Sequence, residues 1–230
     1  MHRGRWLVSA GLASAAFVAP AAAQSPDTRW QGLYFGLHGT FLSAETGTLL
    51  TPAGAPPILQ VLEGPMGGAQ IGYNWQLGGV VFGLEVDSSF GMASSLVDID
   101  ASLKADAMLT AVGSARARLG YSFGSFMPYV TGGLAWSVLE QGSTCAAGAA
   151  AGFCVTSGVF DTRSTQLLLG WMAGAGAELA LNTNWSIKAE GLIGTFTTQD
   201  YVGAYAITNF TTPIDLNVSY SAKIGINYRF

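Results

Sequence analysis

The sequence predicts an all-β chain: an eight-stranded antiparallel transmembrane β-barrel with short periplasmic turns and longer external loops. Three observations carry that expectation. Half of the residues are hydrophobic and only 10% are charged, whereas soluble domains carry about 25% charged residues. The chain holds 31 glycines, which disfavours long helices because each interior glycine costs about 1 kcal/mol relative to alanine. Apolar residues recur at every second position in eight segments, the period of a strand with one face in lipid.

The segments follow in order. The first, from about Trp30 to Phe41, places Leu33, Phe35, Leu37 and Phe41 on one face and Tyr34, His38 and Thr40 on the other. The second, near Gly68 to Gln76, alternates Ala69, Ile71, Tyr73 and Trp75 with Gln70 and Asn74, and Leu77-Gly78-Gly79 makes a tight turn. The third sets Val80, Phe82, Leu84 and Val86 against Glu85 and Asp87. The fourth, about Ala107 to Ser122, sets Ala115, Ala117, Leu119 and Tyr121 against Arg116 and Arg118. In the fifth, about Pro128 to Ser137, Val130, Leu134 and Trp136 oppose Tyr129 and Thr131. The sixth, about Thr165 to Leu181, sets Leu167, Leu169, Trp171 and Leu179 against Gly170, Gly174 and Glu178. After Asn182-Thr183-Asn184, the seventh opposes Trp185, Ile187 and Ala189 to Ser186, Lys188 and Glu190. The last places Val218, Tyr220, Ala222, Ile224, Ile226, Tyr228 and Phe230 on one face and Lys223, Asn227 and Arg229 on the other.

Connections alternate in length. Short turns fall near 77–79, 123–126 and 181–184, and longer links cover roughly 42–66, 88–106, 138–164 and 197–213. That alternation is the layout of a barrel with an even strand number and both termini on the periplasmic side. A sheet open to lipid would leave edge N–H and C=O groups unpaired, so it must close. The inward face then collects Glu85, Asp87, Glu178 and Glu190 together with Arg116, Arg118, Lys188, Lys223 and Arg229. Unpaired charge there would be costly, so an interior ion-pair network is expected, with Glu85 and Asp87 next to Arg116 and Arg118. An eight-stranded bore is just wide enough for such side chains to fill it. The alternative is a charged constriction that tunes ion flow. Aromatic residues at strand ends predict two interfacial girdles, Trp75, Tyr121, Trp185, Tyr228 and Phe230 at one end and Phe41, Phe90, Trp136, Trp171 and Phe196 at the other.

Residues 1–23 read as a signal peptide and 24–230 as the barrel domain. His2, Arg3 and Arg5 form a basic start, Trp6 to Val18 is mostly apolar, and Ala21-Ala22-Ala23 supplies a small-residue cleavage site. The alternative, an anchoring helix, would need about 20 apolar residues. Removing Arg3 and Arg5 from the ten Lys and Arg leaves eight bases against 14 acids, which disfavours nucleic acid as a partner. Cys145 and Cys154 read as one disulfide closing a small loop of an exported protein; a metal site or a redox role are the alternatives. The acids Glu45, Glu63, Asp98, Asp100, Glu140, Asp161 and Asp200 fall on the external links, where they form a solvated surface or meet a cation or a basic partner.

Several stretches resemble the OmpA-like, porin-family small barrels of Gram-negative bacteria. They are Trp30-Gln31-Gly32-Leu33-Tyr34-Phe35-Gly36, Gly72-Tyr73-Asn74-Trp75, Gly83-Leu84-Glu85-Val86-Asp87, Arg118-Leu119-Gly120-Tyr121 and Pro128-Tyr129-Val130-Thr131-Gly132-Gly133-Leu134-Ala135. The final Ile226-Asn227-Tyr228-Arg229-Phe230 resembles the signal read by the barrel-assembly machinery, which would then be a partner through Ile226, Tyr228 and Phe230. The resemblance implies an outer-membrane location and eight strands. It implies no single activity, since members are described as porins, structural envelope proteins, surface antigens and in some cases haem binders.

Three functions follow as expectations. The first is a structural or surface-interaction protein, a plugged barrel that displays its loops, with no cofactor and no catalysis. The second is a narrow pore lined by the lumen charges. The third is a lipid-modifying enzyme, for which His38 is the one histidine left after processing; a hydrogen-bonded lumen histidine or a haem ligand are its other readings.

Overall fold

A computed structural model describes residues 28–48, 58–98, 103–145, 162–197, 199–204 and 209–230. The expected signal peptide, 1–23, lies outside the described residues. The strands are β1 (Gly32–Thr48), β2 (Ile58–Leu77), β3 (Val80–Asp98), β4 (Leu103–Tyr121), β5 (Phe126–Cys145), β6 (Thr162–Ala180), β7 (Trp185–Phe196), β8 (Gln199–Ala204) and β9 (Asn209–Arg229). Neighbours pair antiparallel from β1 to β7, β7 pairs with β9, and β9 pairs back onto β1, closing the sheet. Closure satisfies both edges, the condition for a sheet to stand in lipid.

β8 is the outer continuation of β7. Gly194 lies opposite Ser219 and Gln199 opposite Ile214, so the two pairs are five positions apart on each strand and the register is kept across the break. The barrel therefore has eight walls, one of them made of β7 and β8 in succession.

Burial follows the expected alternation. Along β7 the pattern is strictly exposed then buried from Trp185 to Phe196. Large apolar side chains cover the outside, with Leu84 57% and Ile224 72% exposed, as a lipid-facing surface requires. Phe196 departs from the expected girdle: it is buried in the lumen, because it lies an even number of residues from the inward Lys188. Trp30 also differs. It precedes β1 rather than starting it, and at Gly32 the chain turns with φ +124°, which lets Trp30 fold under the barrel at full burial.

The strands outrun the sequence-based segments. β1 has 17 residues and β9 has 21, against about 9–11 needed to cross a bilayer. Most of the expected links at 42–66, 88–106, 138–164 and 197–213 are strand, and what connects them, 49–57, 99–102, 146–161 and 205–208, lies outside the described residues. There the inward positions hold small residues such as Ala44, Gly64 and Ala93 among apolar ones such as Leu42 and Leu62, so the period-2 contrast is weak in sequence. Exposed Glu45 and Glu63 stand on these outer extensions, beyond the apolar band. The register shifts between Phe90 and Ala93 on β3, and between Leu109 and Ala111 on β4. On β4 the inward face passes from Leu109 to Val112 across the shift, a bulge that reverses the parity of the outer end. At the other end, β2 and β3 are joined by Gly78 and Gly79, where φ +60° at Gly78 suits a two-residue hairpin turn.

Candidate functional site

The inward side chains form three layers, of which the middle one is charged. Arg116 on β4 lies opposite Glu85 on β3, and Glu190 on β7 lies opposite Lys223 on β9. Strand pairing thus sets opposite charges side by side before any contact across the bore. Arg116 then reaches over the lumen. Its Nη2 donates to Glu85 Oε1 and Asp87 Oδ2, both at 2.9 Å, and its Nη1 donates to Glu190. Lys188 returns from β7, its Nζ 2.8 and 2.9 Å from the two oxygens of Glu85. Lys223 Nζ is 2.6 Å from Asp87 Oδ1. Arg118 donates to Glu178 at 3.2 Å, and Arg229 is 3.6 Å from the same carboxylate.

All nine charged residues assigned inward by alternation meet in this one layer, and each is buried. Four carboxylates face five cations. Neutral groups complete the carboxylates' coordination. Tyr34 donates to Glu85 at 2.8 Å, Tyr129 to Glu190 at 2.9 Å, Ser114 to Asp87 at 2.6 Å, and Asn227 to Glu178 at 3.0 Å, with Ser186 also donating to Glu178. The Arg118 guanidinium lies 4.7 Å from the centre of the Tyr34 ring and 5.3 Å from that of Tyr129, an arrangement that favours a cation on an aromatic face. Such satisfaction is what makes buried charge tolerable, since each ion loses several kcal/mol of hydration. Sequence reasoning did not single out Tyr34, Tyr129, Ser114, Ser186 or Asn227 as part of the network, although each shares the inward parity of its strand.

His38 borders the charge layer. Nδ1 is hydrogen-bonded to Gln70 and Nε2 lies 2.8 Å from Ser89 Oγ; both residues are buried. Gln70 continues to Asn227 at 2.7 Å. Among the described residues, no group of three or more His, Cys, Asp and Glu side chains is placed to hold a metal ion.

The two flanking layers are apolar. At the short-turn end Trp30, Val81, Met127 and Tyr129 pack together. Trp30 is tied there by its backbone N–H to Gln76 at 2.9 Å and by its indole N–H to the Gly124 carbonyl at 3.1 Å. At the far end a larger cluster, including Leu42, Leu62, Leu109, Leu139, Leu168 and Phe196, fills the lumen. Nothing in the alternation distinguished this layer from a polar one. Between it and the charges lies a cavity of about 10 Å³, edged by Thr40, Leu42, Asp87 and Lys223, room for roughly one water.

Of the remaining sequence-based residues, Ile226 and Phe230 are exposed on the outer face and Tyr228 is half-buried beside them, with Phe230 N–H donating to the Leu33 carbonyl at 3.0 Å. Cys145 ends β5, and Cys154 lies outside the described residues.

Comparison with known proteins matches residues 9–230 to the model of the outer membrane protein beta-barrel domain. The 31 kDa outer-membrane immunogenic protein of Brucella melitensis is 30% identical, over 92% of this chain and 88% of its own length. A 22 kDa outer membrane protein of Rhizobium leguminosarum is 27% identical, over 92% and 83%. Among solved structures, OprG of Pseudomonas aeruginosa superposes with a TM-score of 0.57 at 12% identity, covering 87% of this chain and 96% of that one, a likeness of fold alone.

Proposed function

The chain belongs to the outer membrane protein beta-barrel domain family and is an outer-membrane barrel, and from that premise we propose that it is a closed scaffold whose external end meets partners outside the cell. It is not a channel and not an enzyme. The observation that supports this reading is Arg116, which bridges β4 to Glu190 on the far wall while holding Glu85 and Asp87. A guanidinium held by three carboxylates across an eight-stranded bore leaves no path for a solute. Apolar layers above and below it keep water out. His38 and Ser89 resemble a base and a nucleophile in spacing alone. Both are buried under the outer apolar layer, beyond the reach of a substrate, and their role is to hold the lumen together.

Surface exposure draws support from the Brucella relatives, which are named immunogenic proteins. In the same reading residues 1–23 are removed on export, Cys145 and Cys154 bridge an external connection, and Ile226, Tyr228 and Phe230 present the final strand to the assembly machinery.

Ion conductance of the refolded barrel in a planar bilayer tests the proposal, with heat-dependent gel mobility as the folding control. Folded protein is expected to be silent. Reproducible conductance steps that change with Arg116→Ala would instead make the lumen charges a constriction, and the protein a narrow pore.

A further inference from the structure

The wall is closed along the apolar band but not to its outer end. Gly170 pairs with Phe196, and the carbonyl of Leu169 accepts from Thr197 N–H at 2.7 Å and from Thr197 Oγ1 at 2.9 Å. Beyond that point β6 runs on to Thr162 in register with β5, while β8 pairs with β9 alone. Among the described residues no backbone hydrogen bond joins β6 to β8. Two strand edges therefore stand free on either side of a seam.

Peptide groups of an antiparallel strand point alternately to its two neighbours. Leu169 offers its carbonyl to the β7 side, so Leu167, Thr165 and Arg163 turn their N–H and C=O groups the same way, into the seam. Thr165 lies opposite Glu140, which faces outward between buried Leu139 and Gln141. This stretch thus stands beside a carboxylate in water rather than in lipid. An unpaired edge is a template for another strand, and proteins commonly guard it with proline, lysine or a bulge. Neither 162–169 nor β8 contains proline or lysine, and the register of β5 on β6 is unbroken. Behind the edge Gln141, opposite Ser164, is buried, and its Nε2 has no hydrogen-bond partner among the described residues.

The edge groups select the occupant. They require N–H and C=O groups at strand spacing, which an extended polypeptide supplies and a sugar or an acyl chain does not. Charge narrows the choice. On the outer parts of the strands Glu63, Asp98, Asp106, Glu140, Asp200 and Asp215 outnumber Lys104 and Arg163. Both of these bases are already paired with acids. A surface of one sign attracts the opposite sign, and a second barrel would bring the same acidic rim.

We propose that the edge of β6 at 163–167 docks an extended, basic polypeptide segment of an external partner by strand addition. The inference rests on the reading of the external end as the surface that meets partners, and not on whether the lumen conducts.

The test uses the full refolded barrel in phosphatidylcholine nanodiscs and a fluorescent peptide of alternating lysine and threonine, read by anisotropy. Saturable binding is expected. The same peptide N-methylated throughout keeps its charge but cannot donate to the edge, and should bind at least about tenfold more weakly. A glutamate–threonine peptide should not bind. Thr165→Pro removes one edge N–H and spares the β5 ladder, a place where proline is tolerated. It should weaken binding about tenfold with heat-dependent mobility unchanged, and Leu167→Pro gives the same reading should the first variant fold poorly. Absence of saturable binding, equal binding of the N-methylated or the acidic peptide, or native binding by the proline variants would overturn the proposal. So would cross-linking of two copies through this edge without peptide. A silent barrel that binds no peptide overturns the docking alone, and a conducting barrel that binds overturns the closed scaffold alone.

Discussion

The middle and the outer third of the lumen are built on the same strands, yet their inward side chains are held by opposite means. In the middle, nine ionisable side chains are fixed by ion pairs and hydrogen bonds across the barrel. In the outer third, side chains such as Leu62, Leu109, Leu139 and Leu168 meet with no polar partner, as in the core of a soluble domain. The charged layer is directional, and losing one partner leaves the others buried and uncompensated. The apolar layer is held by area and packing, which tolerate volume-conserving exchange. A barrel whose wall stands beyond the membrane thus carries two kinds of core stacked along one axis. The charged one lies behind exposed apolar side chains such as Leu84 and Ile224, and the apolar one runs from behind Phe41 and Trp171 toward the outer strand ends.

Substitutions at three positions would break or sharpen that contrast. The largest effect is expected from Glu85→Gln, which takes a carboxylate from Arg116 and Lys188 and should cost about 3–5 kcal/mol. Equilibrium unfolding in urea from lipid vesicles reads it. A loss no greater than that of a surface change would mean the network contributes nothing net. Leu168→Ala in the outer layer should cost about 2–5 kcal/mol by opening a cavity, and Leu168→Met should restore most of that. If methionine is as damaging as alanine, the outer layer is not packed as a core. The smallest effect belongs to Arg163→Gln. It breaks the pair with Asp106 at 3.4 Å, where the arginine side chain is 64% exposed, and should change stability by less than about 1 kcal/mol. A larger loss by the same measurement would show that the outer rim is held by charge after all.

Much of this was legible because a strand in lipid has few options. Val218 to Phe230 alternate without a miss, and a helix could not separate Ile224 and Ile226 from Lys223 and Arg229. For the same reason Glu85, Asp87, Arg116 and Arg118 could be placed inward: on the outward face they would meet hydrocarbon. The outer strand extensions were not legible. There the wall no longer faces lipid, and exposed Glu45 and Glu63 alternate with Ala44 and Gly64, a pattern that also fits a loop. Phe196 shows the limit from the other side, since an aromatic at a strand end serves a girdle or a core equally well until parity is counted through to the end of β7.

The sequence by itself determined the strand faces, the closed all-β architecture and the set of charges that must share the lumen. Each of these follows from period-2 geometry and the cost of polar groups in lipid, both local in the chain. Only the tertiary structure decided which charges pair. Arg116 meets Glu190, 74 residues away, because the diameter and register of the closed barrel bring β4 and β7 within reach of one guanidinium. Closure likewise decided that Trp30 folds under the barrel and that apolar side chains meet in the outer lumen, since both depend on what eight walls leave room for.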